Sequence, residues 1–394
     1  MTINSRYNVL ENKPEDPIVN VINKHNNDSH PQKVDCSIGV YKDGLGQFYT
    51  FPCIEQAKKQ YMEDGYDFNY HTMMGLADFT KNAQTVLFDE PKSNVVTIQT
   101  VGGTNALHVG FSFAKQLGFT DFYLGVPAWS NYEGMIEHLG VKCHTYNYLK
   151  DGKASVDNVL QAIDQANPNS VFILQACCHN PTASDYSHED WEKIVKALQS
   201  KKVFPLIDIA YQGFASGSLE KDSWIIKYLY SLNMEFITCQ SFSKNLGLYS
   251  ERLGACHIIT QDATNVPTIK ANLLSIFRHE NSFAPTFGAR LCNIVNLTYK
   301  SQWYQDLQDC HQRLVNIRQE VYNRLKKLNS PGNWKNIINQ NGMFWWTELT
   351  EAQVDELMNT YHIYCTNNGR VNIAGLHDGT LDYFIESLDK VLRL

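Results

Sequence analysis

Residues 95–113 read VVTIQTVGGTNALHVGFSF, a run of β-branched and apolar residues that stops at two glycines and a threonine, where a helical stretch begins. A strand running straight into a helix is the repeating unit of a parallel sheet covered on both faces. The pattern recurs downstream: Phe122–Val126, Val171–Ala176, Val203–Ile207, Phe236–Cys239 and Leu253–Ile258 are further expected strands, with longer amphipathic stretches between them. One of those stretches opens with Ser187 and has Asp190 three residues on, a capping-box pattern, followed by Trp191, Ile194, Val195 and Leu198 at helical spacing. The expected fold class is therefore α/β, a mostly parallel sheet covered by helices. After about residue 300 the texture changes to long amphipathic helices. Leu314, Ile317, Val321, Leu325 and Leu328 form one stripe, and Leu381, Phe384, Ile385, Leu388 and Val391 another. A second, smaller α/β domain is expected there.

At 394 residues the chain is long enough for two domains, and 43% apolar with 12% aromatic residues is the composition of a globular protein. No apolar run is long enough to span a bilayer, and a net charge of -7 with scattered basic residues gives no footprint for a polyanion. Neither a membrane nor nucleic acid is expected as a partner. The first thirty residues mix acids and polar residues where a secretory or transit peptide needs other chemistry, so the expected compartment is the cytoplasm. Ten cysteines without a CxxC signal neither a metal site nor a disulfide framework.

Open α/β sheets bind ligands beyond the carboxyl ends of their strands, so the polar residues there carry the chemistry. Gly102-Gly103-Thr104 offers helix-start amides that suit a phosphate, although the same triplet serves a plain strand-to-helix turn. His179-Asn180-Pro181-Thr182 follows one strand, and Asp208-Ile209-Ala210-Tyr211 follows another. Asp208 ends an apolar run, where a carboxylate needs a cation or several donors unless it caps a helix. Ser241, Ser243 and Lys244 place two hydroxyls and an amine on one loop, with Arg252 eight residues later; alone, Lys244 reads better as a solvated lysine in a polar loop. Together these parts meet the needs of pyridoxal 5'-phosphate: a lysine for the Schiff base, an acid for the pyridine nitrogen, donors for the phosphate and a flat group for the ring.

The segments SFSKNLGLYSERLG (241–254), IDIAYQGFASG (207–217) and CCHNPTASD (177–185) resemble those of the aspartate aminotransferase family. Further matches are IGVYKDGLG (38–46), NYHTMMGLADF (69–79), QTVGGTNALHVG (99–110), VPAWSNYEGM (126–135) and NGRVNIAGL (368–376), all in the family's order. The resemblance implies the fold type I architecture of PLP-dependent transferases. It divides the chain into an N-terminal arm (1–14), the first part of the small domain (15–48), a large cofactor-binding domain (49–308) and the rest of the small domain (309–394).

It also implies roles. Lys244 would be the Schiff-base lysine and proton shuttle, and Asp208 would face the pyridine nitrogen. Asn180 and Tyr211 would bond the ring oxygen, and Trp129 would stack on the ring. Gly103, Thr104, Ser241, Ser243 and Arg252 would hold the phosphate, with Tyr70 reaching in from the second subunit of a homodimer. Arg370 would grip the substrate α-carboxylate near Gly39, and Arg278 would cross the dimer to the side-chain carboxylate. The implied reaction moves the amino group of L-aspartate to 2-oxoglutarate in a two-stage cycle. An aromatic or broad-range aminotransferase is the alternative, and a PLP-dependent lyase or decarboxylase a more distant one. Four positions depart from the family pattern: Gly102 stands for a serine, Tyr132 and Gln175 for two histidines behind the aspartate, and Ala183 for a turn glycine. The stretch NSFAP (281–285) departs as well.

Overall fold

The computed structural model describes residues 5–13 and 15–394. Of the expected arm, residues 1–4 and 14 lie outside the described ones; the rest carries a short 3-10 helix, Arg6–Val9, with exposed side chains.

Seven strands form the main sheet: β1 (Val95–Val101), β2 (Asp121–Val126), β3 (Lys142–Asn147), β4 (Ser170–Gln175), β5 (Phe204–Ile209), β6 (Phe236–Ser241) and β7 (Leu253–Ile259). Their spatial order is β1-β7-β6-β5-β4-β2-β3. The five neighbours from β6 to β3 pair in parallel, whereas β7 runs antiparallel to both β1 and β6. Strands β6 and β7 are buried along their whole length, as strands covered by helices on both faces must be.

The expected strands all form, with three differences. Strand β3, KCHTYN, has no apolar run because it lies at the sheet edge with most side chains exposed or half-exposed. Strand β7 is antiparallel, which its residues do not announce. Strand β5 extends to Ile209, so Asp208 lies inside the sheet beside Gln175 and Cys239 and caps no helix.

Helix α1 (Gly102–Gln116) begins where β1 ends, helix α2 (His188–Lys201) carries the Ser187–Asp190 capping box, and helix α3 (Val266–Glu280) packs against α1 and β1. Helix α4, Lys300–Lys327, passes without a break through the expected boundary at 308/309. Its Leu314, Val321 and Leu325 are buried, while Leu328 has left the helix and is exposed. Beyond it comes helix α5 (Asp378–Leu392), whose five expected stripe residues are all buried, and two strand pairs join this part of the chain, one of them to the N-terminal segment. Val34–Asp35 pairs with Ile363–Tyr364 in parallel, and Phe344–Trp346 with Arg370–Asn372 antiparallel. Arg318 of α4 is buried and donates to three carbonyls, those of Ile337, Gly342 and Phe344, which ties the Phe344 strand to the long helix.

Among the described residues no helix is long and apolar enough to cross a membrane, and no group of three His, Cys, Asp or Glu is placed to hold a metal ion. All ten cysteines are free, and only Cys143 is exposed.

Candidate active site

A cleft opens at the carboxyl ends of β4, β5 and β6 and the start of α1. At its first end Gly102 has φ +75, a conformation that suits glycine, and a Cβ there would collide with the Arg252 guanidinium. A Cβ on Gly103 would come within 2.9 Å of the Ser241 side chain. The two glycines thus let helix-start amides, two serines and an arginine converge. Arg252 donates to the Tyr249 carbonyl (2.9 Å) and to Ser243 Oγ (3.4 Å), and Ser241 Oγ accepts from the Ser243 amide (3.2 Å). No acid stands in the first turn of α1, and Arg252 has no carboxylate partner among the described residues. A cation, hydroxyls and unpaired amides at a helix start are the donor set for a phosphate. The missing serine at Gly102 is matched here by the close approach of Arg252.

At the other end Asp208 is 6% exposed. Its Oδ2 accepts a 2.5 Å hydrogen bond from the hydroxyl of fully buried Tyr132. Burial pushes Asp208 up to about 6, against the pull of Tyr132 and of the Lys244 cation. Oδ1 takes no hydrogen bond from the described residues, which leaves it for a donor in the cleft. Gln175 does not join Asp208. It clasps the Asn180 backbone instead, accepting from its amide (2.9 Å) and donating to its carbonyl (3.1 Å).

Lys244 lies between the two ends, its Nζ 4.8 Å from the Tyr211 ring centre. Desolvation brings its amine down to about 8; Asp208 opposes the shift, while the Arg252 and Arg370 cations reinforce it. An amine near 8 is partly free at neutral pH, as a nucleophile and proton carrier must be. Burial also holds the Tyr211 hydroxyl well above its usual range. Trp129 lines the same cleft, edge-on to Tyr132 at 5.4 Å.

Arg370, 4% exposed, donates to Asn180 Oδ1 (2.9 Å) and to the Ser37 carbonyl (2.7 Å). Its guanidinium rests on the Phe344 ring at 4.2 Å, and its Nε is buried without a partner. Gly39 is pressed on the same ring: a Cβ there would stand 2.8 Å from Phe344 and 3.7 Å from the Tyr211 hydroxyl. Arg318 saturates itself on three carbonyls, but Arg370 keeps an unfilled donor and has no acid partner among the described residues.

The turn carrying Asn180 is fixed by Asp185, which accepts from the Cys178 and His179 amides at 2.8 and 2.9 Å. Ala183, in that turn, has φ +53, which explains why a glycine suits the position. Tyr70 and Arg278 are not brought to the cleft within one chain. Tyr70 is 79% exposed and stacks on Phe283 of the NSFAP stretch at 4.6 Å; Arg278 is exposed and donates to Met73 Sδ (3.4 Å). Ser37 and Phe344 escaped the sequence reading, because a backbone carbonyl leaves no residue-type signal and FWW reads as core.

The residues present fit pyridoxal phosphate in kind and order: an anion cup, an amine, and a carboxylate with one oxygen unpaired. The family described as aminotransferase class I and II matches residues 31–388. The cytoplasmic aspartate aminotransferase of Saccharomyces cerevisiae is 36% identical over 98% of this chain and 97% of that protein. A solved structure of the aspartate aminotransferase from S. cerevisiae cytoplasm superposes with a TM-score of 0.95 at 34% identity, covering 98% of both chains. An aromatic-amino-acid aminotransferase from Burkholderia pseudomallei, covalently bound to pyridoxal phosphate, also reaches 0.95 at 30% identity, over 98% of this chain and all of that one. With a match over most of its length and the cleft to go with it, the chain belongs to the class I and II aminotransferase family.

Proposed function

We propose that this chain is an aspartate aminotransferase, which uses pyridoxal 5'-phosphate to move the amino group of L-aspartate reversibly to 2-oxoglutarate, giving oxaloacetate and L-glutamate. The observation that carries the reading is Arg370, a buried cation beside Lys244 whose partners are neutral oxygens and whose Nε is unfilled. Such a group is costly to bury unless an anion arrives, and an amino-acid carboxylate fits its planar fork. Similarity to the yeast enzyme names the dicarboxylic substrate.

When bound, the cofactor supplies an electron sink joined to the substrate nitrogen. Gly103, Thr104, Ser241, Ser243 and Arg252 would hold its phosphate, and Trp129 would stack on its ring. Asp208, with Oδ2 engaged by Tyr132, offers Oδ1 to the pyridine nitrogen and keeps it protonated. Asn180 and Tyr211 donate to the ring oxygen. Lys244 Nζ, as a free amine, would carry the proton away from the substrate α-carbon and return it two atoms away, on the far side of the substrate nitrogen. Arg370 and Gly39 orient the α-carboxylate. Tyr70 and Arg278 act from a second copy of the chain in a homodimer, Tyr70 on the phosphate and Arg278 on the side-chain carboxylate. The compartment proposed is the cytoplasm.

An aromatic or broad-range aminotransferase is the second reading, favoured by the equal TM-score of the Burkholderia enzyme. The deciding experiment is a spectrum of the purified yellow protein. Aspartate should bleach the band and 2-oxoglutarate restore it. Bleaching by phenylalanine, with or without bleaching by aspartate, selects the second reading, and a protein that takes up no cofactor defeats both.

A further inference from the structure

Behind the cleft, a file of buried polar side chains crosses the sheet. Gln84 Oε1 accepts from the Lys92 amide (2.9 Å), and Gln84 Nε2 donates to Thr97 Oγ1 (2.8 Å). Thr97 Oγ1 meets His257 Nδ1 at 2.8 Å, and His257 Nε2 meets Gln240 Oε1 at 3.1 Å. Gln240 Nε2 donates to Gln212 Oε1 (3.3 Å), and Gln212 Nε2 ends the file on the Val86 and Leu219 carbonyls (2.9 and 3.0 Å). Gln212, Gln240 and His257 are wholly buried, Gln84 and Thr97 nearly so.

Backbone groups set the direction at both ends. An amide N–H can only donate, so Gln84 must present its oxygen to Lys92 and its nitrogen to Thr97. Carbonyls can only accept, so Gln212 must present its nitrogen to Val86 and Leu219 and its oxygen to Gln240. That in turn leaves Gln240 its oxygen for His257. The two constraints meet at the imidazole: Nε2 has to carry the proton, and Nδ1 has to be bare to accept the Thr97 hydroxyl. Burial, which pushes this ring down to about 3, agrees.

The file matters to the cleft because Gln240 immediately precedes Ser241 and Gln212 immediately follows Tyr211. We propose that His257, as a neutral Nε2–H imidazole, is a positioning residue that holds Ser241 and Tyr211 in register for the cofactor, through Gln240 and Gln212. The role in cofactor binding rests on the reading given under Proposed function; the tautomer does not.

The test begins with holoenzyme labelled with 15N in its histidines, His257 being assigned by the signal lost in His257→Gln. One protonated Nε2, one bare Nδ1 and no titration between about pH 6 and 8 are expected; a proton on Nδ1 or a charged ring overturns the proposal. The second measurement compares His257→Leu with His257→Gln, which keeps one acceptor and one donor. The leucine variant, which removes both buried hydrogen bonds of the ring, should bind pyridoxal phosphate about tenfold more weakly. It should also move the pH midpoint of the lysine-bound cofactor's absorbance, which Tyr211 sets. Glutamine should recover most of both. A lower melting temperature with both cofactor readouts unchanged makes the file merely structural and sinks the proposal. If the leucine variant does not fold, Thr97→Val, which removes the donor to Nδ1, is read by the same criteria. Wild-type protein that takes up no cofactor refutes the functional reading, while the nitrogen spectrum still judges the tautomer.

Discussion

Around Lys244, charged and polar groups from β4, β5, β6 and the Arg370 strand are buried within one chain and answer to one another. Around Arg278 the chain offers an exposed cation on α3, an exposed Tyr70 stacked on Phe283, and buried Arg290 holding the segment that carries Tyr70 by the Asp67 carbonyl and His71. The first region is complete enough to shift its own pKa values; the second has its aromatic and its cation in place with nothing to act on. On the proposed reading, most of the chemistry common to every substrate lies inside one chain, while Tyr70 for the phosphate and Arg278 for the side-chain carboxylate come from a second copy.

The largest expected effect tests the inner region. Lys244→Ala should abolish turnover and the yellow absorbance together, and an active, yellow alanine variant would remove Lys244 from the chemistry. Next come the two arginines. Removing one partner of a desolvated charge pair costs roughly 2–5 kcal/mol, or about thirtyfold to several thousandfold in kcat/KM. Arg370→Ala should lose that much with every amino acid, Arg278→Ala only with aspartate and glutamate. An unchanged ratio of aspartate to phenylalanine kcat/KM in Arg278→Ala breaks the comparison. Mixing Lys244→Ala chains with Arg278→Ala chains sharpens it, since heterodimers with one intact site should recover part of the activity. No recovery despite demonstrated subunit exchange counts against shared sites.

A smaller effect falls on stability. Asp208 in the folded chain sits at about 6, above its ordinary 3.8, so its ionisation favours the unfolded state. The cofactor-free protein should therefore be most favoured, as far as this group goes, below about pH 4, and should lose up to ~3 kcal/mol as the pH rises to about 6. Asp208→Asn keeps an acceptor for Tyr132 and should stabilise the cofactor-free protein by ~1–3 kcal/mol at pH 8, a gain that vanishes below pH 4, while turnover collapses. Equal melting temperatures for the two proteins at pH 8 would show that Asp208 is not strained. The smallest effect concerns the Asn180 turn. Ala183→Gly relieves a left-handed backbone worth about 1–2 kcal/mol, partly offset by glycine's entropy, so a net gain of about 0.5–1 kcal/mol in stability with unaltered kcat is expected. Urea titration measures it, and a loss of stability would mean that the buried Ala183 methyl contributes more than its φ costs.

Much of this was legible in the residues. The sheet strands with apolar runs, the capping box at Ser187 and the stripes of α4 and α5 follow from local periodicity, and the family-like segments in their order led to Lys244, Asp208 and Arg370. What escaped depends on pairing across long separations. Strand β3 lacks a signal because an edge strand need not be apolar on both faces. The direction of β7 is set by which strands flank it, and no residue in LGACHII records that. Gln175 reads as a partner of Asp208 because it stands where the family has a histidine; the two are indeed sheet neighbours, yet the Gln175 side chain turns to the Asn180 backbone instead. Ser37 contributes only its carbonyl.

The position of β7 also constrains how the chain is made. Strand β1 sits at the sheet edge with β7 as its one sheet neighbour, so VVTIQTV cannot join the sheet until Leu253–Ile259 has been synthesised. At about 5–20 residues per second the wait is roughly 10–30 s. Throughout that interval the mostly β-branched segment VVTIQTV stays unpaired on a growing nascent chain, while β2 to β6 can already assemble. A ribosome-associated holdase, or a pause that shortens the exposure, would act on this segment before any other in the large sheet.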